Sequence, residues 1–276
     1  MKSQEMWIDA GNKRKLFAKI WIPDEKPTAV ITLVHGFGEH CTRYEPYFLA
    51  FNNEPIAFVS FDLYGHGKSD GKRGTIISYD SLLDDVALFI NFTKEQFPNL
   101  SHYLYGHSMG GNIVLNYLLR RPADLTGAIV TSPWLKLTDE PPMILKKLVS
   151  SLRLVMPNVT FNSGLDVNAI SSQADEVKKY RNDPLNHGRI SFRLFHEIVY
   201  WGNWAMKNAS ELVVPTLLMH GTADKITSPL ASERVFESNR EKINFVSWEG
   251  KFHELHNENV RHKVAEAVIQ WMHQAK

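Results

Sequence analysis

Runs of β-branched and other apolar residues recur along the chain at about 3–9, 15–22, 29–35, 56–62, 101–106, 127–132, 214–220 and 243–248. Some are apolar almost throughout, as in Ala29-Val30-Ile31-Thr32-Leu33-Val34, which marks strands covered on both faces. Helical runs at about 43–53, 78–97, 109–121, 229–239 and 257–274 separate most of them. Strands alternating with helices predict the α/β class, with a mostly parallel eight-stranded sheet and helices on both faces. The first two runs can form an antiparallel hairpin through Gly11-Asn12.

The alternation stops between Ser132 and Pro215, a stretch with no clear strand. It contains Pro141-Pro142, followed by the apolar residues Met143, Ile144, Leu145, Leu148, Val149, Leu152 and Val155. A structureless loop of that length is uncommon in a compact domain, so the pattern predicts an inserted helical cap. The expected division is a core formed by 1–133 and 206–276, with a cap at 134–205. The run near 143–156 also carries Lys146, Lys147 and Arg153. A basic amphipathic helix can lie on an anionic membrane surface, or it can pack its apolar side onto a pocket. Both readings stand at this point.

Composition narrows the classes. With 276 residues and 43% of them apolar, the chain can bury a large core without staples. A net charge of +1 lacks the basic bias of a dedicated nucleic-acid binder. The single cysteine, Cys41, cannot form an intrachain disulfide and fits a reducing compartment. Met1 to Glu5 has no apolar leader, and no stretch approaches the roughly 18 apolar residues that span a bilayer. These features point to a cytoplasmic protein whose membrane contact, where it occurs, is peripheral.

The chemistry starts at Gly106-His107-Ser108-Met109-Gly110, between a strand-like run and a helix-like run. G-x-S-x-G in a strand–turn–helix setting is a nucleophile elbow, and glycine at both flanks lets the turn close tightly. A serine hydroxyl needs a histidine base, and the base needs a carboxylate to fix its tautomer. In this architecture they follow in the order Ser, acid, His. Asp224 comes after a buried-strand pattern and Gly221-Thr222-Ala223; its plain alternative is a turn-forming aspartate. His253 comes after 243–248 and the breaker Gly250, with His256 as its competitor for the base. His220 also ends a strand, but it precedes Asp224. The histidines of His253-Glu254-Leu255-His256 are three apart, whereas the zincin motif needs four, so a metal site is not expected. The N–H groups of Met109 and of Phe37, in the loop His35-Gly36-Phe37-Gly38, are the expected oxyanion donors.

His35-Gly36-Phe37-Gly38-Glu39-His40, Gly65-His66-Gly67-Lys68-Ser69, Gly106-His107-Ser108-Met109-Gly110-Gly111 and Gly221-Thr222-Ala223-Asp224 together resemble the monoacylglycerol lipase / lysophospholipase branch of the α/β-hydrolases. The resemblance runs from about residue 15 to 272. It implies Ser108, Asp224 and His253 as a catalytic triad and Phe37 and Met109 as the oxyanion hole. It also implies a polar subsite at Glu39, Arg43, Tyr180 and His256 for a glycerol or other head group. Glu39 and Arg43 could instead form a structural ion pair, and Tyr180 could be cap packing. The implied reaction is hydrolysis of a small lipid ester, monoacylglycerol first, through an acyl-enzyme and with no metal or organic cofactor. A lysophospholipase or broad carboxylesterase would use the same residues, and a ligand receptor on this fold is the non-enzymatic alternative. Ser108 at the elbow argues against epoxide hydrolases and haloalkane dehalogenases, which place an aspartate there. A peptidase relative needs a site for a charged peptide terminus, and the sequence does not locate one.

Overall fold

The computed structural model describes residues 1–51, 54–122 and 124–275. Eight strands form one sheet: β1 (Lys2–Asp9), β2 (Lys15–Ile22), β3 (Ala29–Val34), β4 (Ile56–Phe61), β5 (Ser101–His107), β6 (Gly127–Thr131), β9 (Thr216–Gly221) and β10 (Ile243–Trp248). Their spatial order is β1-β2-β4-β3-β5-β6-β9-β10. β1 pairs antiparallel with β2, and β2 antiparallel with β4. All other neighbours in the sheet are parallel.

Side-chain alternation assigns the two faces. Val30 and Val34 of β3, with Ala57, Val59 and Phe61 of β4, join one core. That core is closed by α2 (Tyr79–Gln96), α3 (Met109–Arg120) and α7 (Pro229–Ser238). Ile31 and Leu33, with Ile56 and Phe58, join the other. There α1 (Glu45–Phe48) contributes Tyr47 and Phe48, and α8 (Arg261–Gln274) contributes Val264, Val268 and Trp271. With both faces covered by helices, ligands are left the carboxyl edge of the parallel strands.

The segment between β6 and β9 holds α4 (Met143–Val155), β7 (Thr160–Asn162), α5 (Ala174–Asn182), β8 (Arg189–Ser191) and α6 (Phe192–Asn208). β7 and β8 form an antiparallel ribbon, which corrects the expectation of a stretch without strands. Three residues per strand are too few for alternation to register in a sequence. α6 is bound firmly to the core: Asn112 Nδ2 donates to Ile198 O at 3.0 Å and Asn116 Nδ2 to Trp201 O at 3.1 Å. Arg120 stacks over the Trp201 ring at 3.7 Å.

Two expected helices are shorter than their patterns. The run at 43–53 splits into a 3₁₀ turn (Cys41–Tyr44), α1 and a second 3₁₀ turn (Leu49–Phe51); positions 52 and 53 lie outside the described residues. The run at 257–274 starts late, at Arg261, after a 3₁₀ turn at Leu255–Asn257. Glu258 is held back from the helix because its carboxylate accepts Ser172 N–H at 2.7 Å and the Ser172 hydroxyl at 2.5 Å.

Candidate active site

Ser108 sits between β5 and α3 with φ 53° and ψ −115°, a strained conformation for a residue with a side chain. The surroundings hold it there. Ser108 N–H donates to Thr131 O at 3.0 Å, and Ser108 O accepts Trp134 N–H at 2.9 Å and Asn112 N–H at 3.0 Å. The flanking glycines are needed for space. A Cβ on Gly106 would lie 2.5 Å from Gly110 O, and one on Gly110 would run into Val34 O.

Asp224 follows β9 and is buried. Its Oδ1 accepts Ile226 N–H at 2.7 Å and Thr227 N–H at 3.1 Å. Its Oδ2 lies 2.7 Å from His253 Nδ1, 3.0 Å from His220 Nε2 and 3.0 Å from Thr227 Oγ1. Burial alone would raise the carboxyl's pKa. The adjacent His253 and the hydrogen bonds from His220 and His253 outweigh burial and hold it well below the ordinary carboxylate range. Burial likewise works against a charged His253, but the Asp224 carboxylate prevails and raises its pKa above the ordinary 6.5. Because Nδ1–H is committed to Asp224, Nε2 carries the lone pair. Ser132 fixes the loop behind it: its Oγ donates to His253 O at 2.8 Å, and its own carbonyl accepts the Thr227 hydroxyl at 3.0 Å.

Ser108 and His253 open onto one cavity of about 630 Å³, together with Gly36 and Phe37. No hydrogen bond joins Ser108 Oγ to His253 among the described residues; such contacts often close only once substrate is bound. The backbone N–H groups of Phe37 and Met109 donate to no described group, which leaves both free for a ligand oxygen. Most of the rest of the wall is apolar and comes from 134–195, including Trp134, Leu145, Val149, Phe161, Ile170 and Phe195, with Lys225 and Ile226 added from the loop after Asp224.

The four residues expected to form a head-group subsite separate. Glu39 and Tyr180 line the cavity, whereas the Arg43 side chain and His256 are buried and do not line it. Arg43 binds Glu39 through Nη1 and grips both oxygens of Glu254, at 2.9 and 2.8 Å, with the Tyr180 ring 4.6 Å away. Glu39 also accepts Gly36 N–H at 2.6 Å and the Tyr44 hydroxyl at 2.7 Å, so it braces the oxyanion loop. His256 is fully buried and stacks on Tyr44 at 4.4 Å. Burial, followed by the charge of Arg43, lowers its pKa well below the usual value. That position also removes it from competition with His253.

Glu254 reaches the cavity wall without having been marked by the sequence, since it stands inside a segment that invites a metal reading. Glu39, Glu254 and His256 do bring ligand atoms within 4.8 Å of one another. Arg43 already occupies both carboxylates, so the cluster is built around a guanidinium and does not fit a metal ion. Thr227 and Ser132 also escaped the sequence reading; Thr227, three residues after Asp224 in a turn, carried the only signal.

An eight-stranded sheet with an elbow serine, a strand-end acid and a loop histidine at one edge defines an α/β-hydrolase of serine-hydrolase type. The sequence pattern of the family described as Serine aminopeptidase, S33 matches residues 25–260, and the chain belongs to that family. It is 30% identical to the monoglyceride lipase of Mus musculus, over 93% of this chain and 86% of that one. It is 32% identical to an uncharacterized abhydrolase domain-containing protein of Dictyostelium discoideum, over 95% of this chain but only 28% of the larger protein. The crystal structure of Paleococcus ferrophilus monoacylglycerol lipase superposes with a TM-score of 0.86 at 31% identity, covering 95% of this chain and 99% of that one.

Proposed function

We propose that this protein is a serine ester hydrolase that cleaves monoacylglycerols to fatty acid and glycerol. In this reading Ser108 Oγ attacks the ester carbonyl carbon while His253 Nε2 takes its proton. The carbonyl oxygen takes on negative charge and accepts the Phe37 and Met109 N–H groups. His253 then gives the proton to the departing glycerol oxygen, leaving an acyl group on Ser108. Water, deprotonated by His253, attacks that ester; His253 returns the proton to Ser108 Oγ as it leaves, and the acid is released. Asp224 fixes the His253 tautomer and stabilises the imidazolium. Every step uses groups of this chain.

The observation that carries the reading is the cavity itself. The nucleophile, the base and the Phe37 loop share a wall with an apolar lining suited to an acyl chain, and the Met109 N–H follows the nucleophile directly in the chain. We assign 134–205 as the cap that supplies this lining and 1–133 with 206–276 as the core. The polar floor favours a neutral alcohol: one guanidinium between two buried carboxylates leaves a net negative charge, and a phosphate head group would be repelled. The relatives that bear the name monoglyceride lipase agree with this choice.

The family described as serine aminopeptidase suggests a second reading, in which Glu39 and Glu254 would meet a substrate ammonium. Both carboxylates already bind Arg43, which weighs against it. A substrate panel tests the two together: monoacylglycerols, a diacylglycerol, lysophosphatidylcholine, lysophosphatidic acid, short p-nitrophenyl esters and an aminoacyl anilide, with Ser108→Ala as control. Monoacylglycerols are expected to lead in kcat/KM, with lysophosphatidic acid far behind. Ser108→Ala should lose on the order of 10⁴–10⁶ in kcat with its fold intact. A panel led by the anilide would overturn the ester reading, and one led by short p-nitrophenyl esters would leave a carboxylesterase.

We further propose peripheral membrane contact through α4. Ile144, Leu148, Leu154 and Val155 are exposed beside Lys147, while Lys146 is paired with Glu140 and Leu145 and Val149 of the same helix line the cavity. No helix among the described residues is long and apolar enough to cross a membrane.

A further inference from the structure

We infer that His220 is a positioning residue of this site, sharing Asp224 Oδ2 with His253 and setting how strongly that oxygen pulls on the His253 imidazolium. The inference rests on Asp224 and His253 acting as acid and base, as proposed above.

His220 is the penultimate residue of β9 and is fully buried. Its Nε2 lies 3.0 Å from Asp224 Oδ2 and 3.2 Å from Thr227 O. A carboxylate and a carbonyl can only accept, so Nε2 must carry a proton. Its Nδ1 lies 2.8 Å from Ser232 Oγ on α7, and a hydroxyl can donate to it. A neutral imidazole with Nε2–H therefore satisfies every partner. The ring ties the triad carboxylate to α7 and offers it one fixed donor.

That donor shares the oxygen used by His253. The Thr227 hydroxyl also lies near Oδ2, but its single proton has Ser132 O as a competing acceptor at 3.0 Å. His220 is thus the second committed side-chain donor on Oδ2. Each donor takes up part of the carboxylate's charge, and less remains to stabilise a charged His253.

The route by which His220 acts is narrow. His253 is faced by Asp224 from the loop after β9, by Glu254 from its own loop and by Glu39 from the oxyanion loop. The His107 ring at the end of β5 stands 4.8 Å away and the Thr227 hydroxyl 3.2 Å away. Of these, His220 touches only Asp224 and Thr227. It does not line the cavity. A change at His220 reaches the base through Asp224, or through the Thr227 hydroxyl beside it, and has no direct contact with substrate.

The test is the pH dependence of kcat/KM for monoacylglycerol in wild type, His220→Ala, His220→Asn and His220→Gln, with Tm measured for each. Glutamine can place an amide N–H where Nε2 stands; asparagine cannot reach it. His220→Ala and His220→Asn should move the acidic limb to higher pH by about half a unit, because Asp224 then pulls harder on His253. Their kcat should fall by about tenfold with little change in KM, as Asp224 loses a donor. His220→Gln should restore the limb and most of kcat. If His220→Ala does not fold, the asparagine–glutamine contrast decides alone. An acidic limb common to all four proteins, with only Tm lowered, would overturn the inference and leave His220 as packing. Asp224→Asn separates this from the underlying reading. Retention of wild-type kcat there would remove the triad itself; collapse of Asp224→Asn beside an unmoved limb in the His220 variants would remove only the role of His220.

Discussion

His253 is buried beside an ionised Asp224, and that pairing fixes the pH behaviour of the site. The carboxylate raises the imidazole's pKa above its ordinary value, so the proton is lost only at higher pH than for a free histidine. The base must be neutral to accept the Ser108 proton. Activity should therefore be full on the alkaline side and fall as pH drops through that raised pKa. The check is kcat/KM from pH 5 to 9; a profile flat down to pH 5 would be incompatible with His253 as base. His107, whose ring stands next to His253, has its pKa pushed down by burial and then by the neighbouring histidines, so it stays neutral and adds no limb of its own. At this scale much of the site is legible in the sequence. Ser108 stands at the turn directly after a strand pattern, Asp224 and His253 each follow a strand pattern and a turn, and local spacing is enough to find such positions. Glu254 is not legible, because its partner Arg43 is 211 positions away and no short-range pattern links them.

Elements carry the next constraint. The elbow works because α3 starts immediately after β5, and the approach leaves no room at its glycines. Gly110→Ala would drive a methyl group into the carbonyls of Val34 and His35. Overpacking of this kind costs about 1–3 kcal/mol, or roughly 2–5 °C in Tm for a chain of this size. The displaced helix start would also carry the Met109 N–H away from the oxyanion position, so kcat should fall further than Tm alone explains. Differential scanning fluorimetry beside single-turnover acylation separates the two losses; an alanine variant with wild-type Tm would show that the elbow has slack. The sheet strands are readable from sequence because each is a run of five to eight residues with a clear composition. The ribbon β7–β8 and the late start of α8 are not. Both depend on partners far along the chain, Phe161 opposite Ile190 and Glu258 on Ser172.

At the scale of the whole molecule, α4 joins the substrate cavity to the outside. Its inner side chains line the site, and its outer ones include Ile144 at 80% exposure and Val155 at 76%. An exposed apolar strip with Lys147 beside it is suited to a lipid surface. Flotation with anionic liposomes should carry the protein upward, and Ile144→Ser with Leu148→Ser should weaken recovery without altering hydrolysis of a dissolved short-chain ester. Failure of the intact protein to float would remove membrane contact.

The opposite end of the cap is attached quite differently. Gly38 O in the oxyanion loop accepts His187 N–H at 2.9 Å and the Tyr180 hydroxyl at 3.2 Å, and His40 Nε2 meets Asp183 Oδ2 at 2.8 Å. The loop that carries Phe37, the proposed oxyanion donor, is thus partly built by the proposed cap. A chimera that exchanged this cap for a relative's would alter catalytic power along with substrate range, unless the graft brought its own partners for Gly38 and His40.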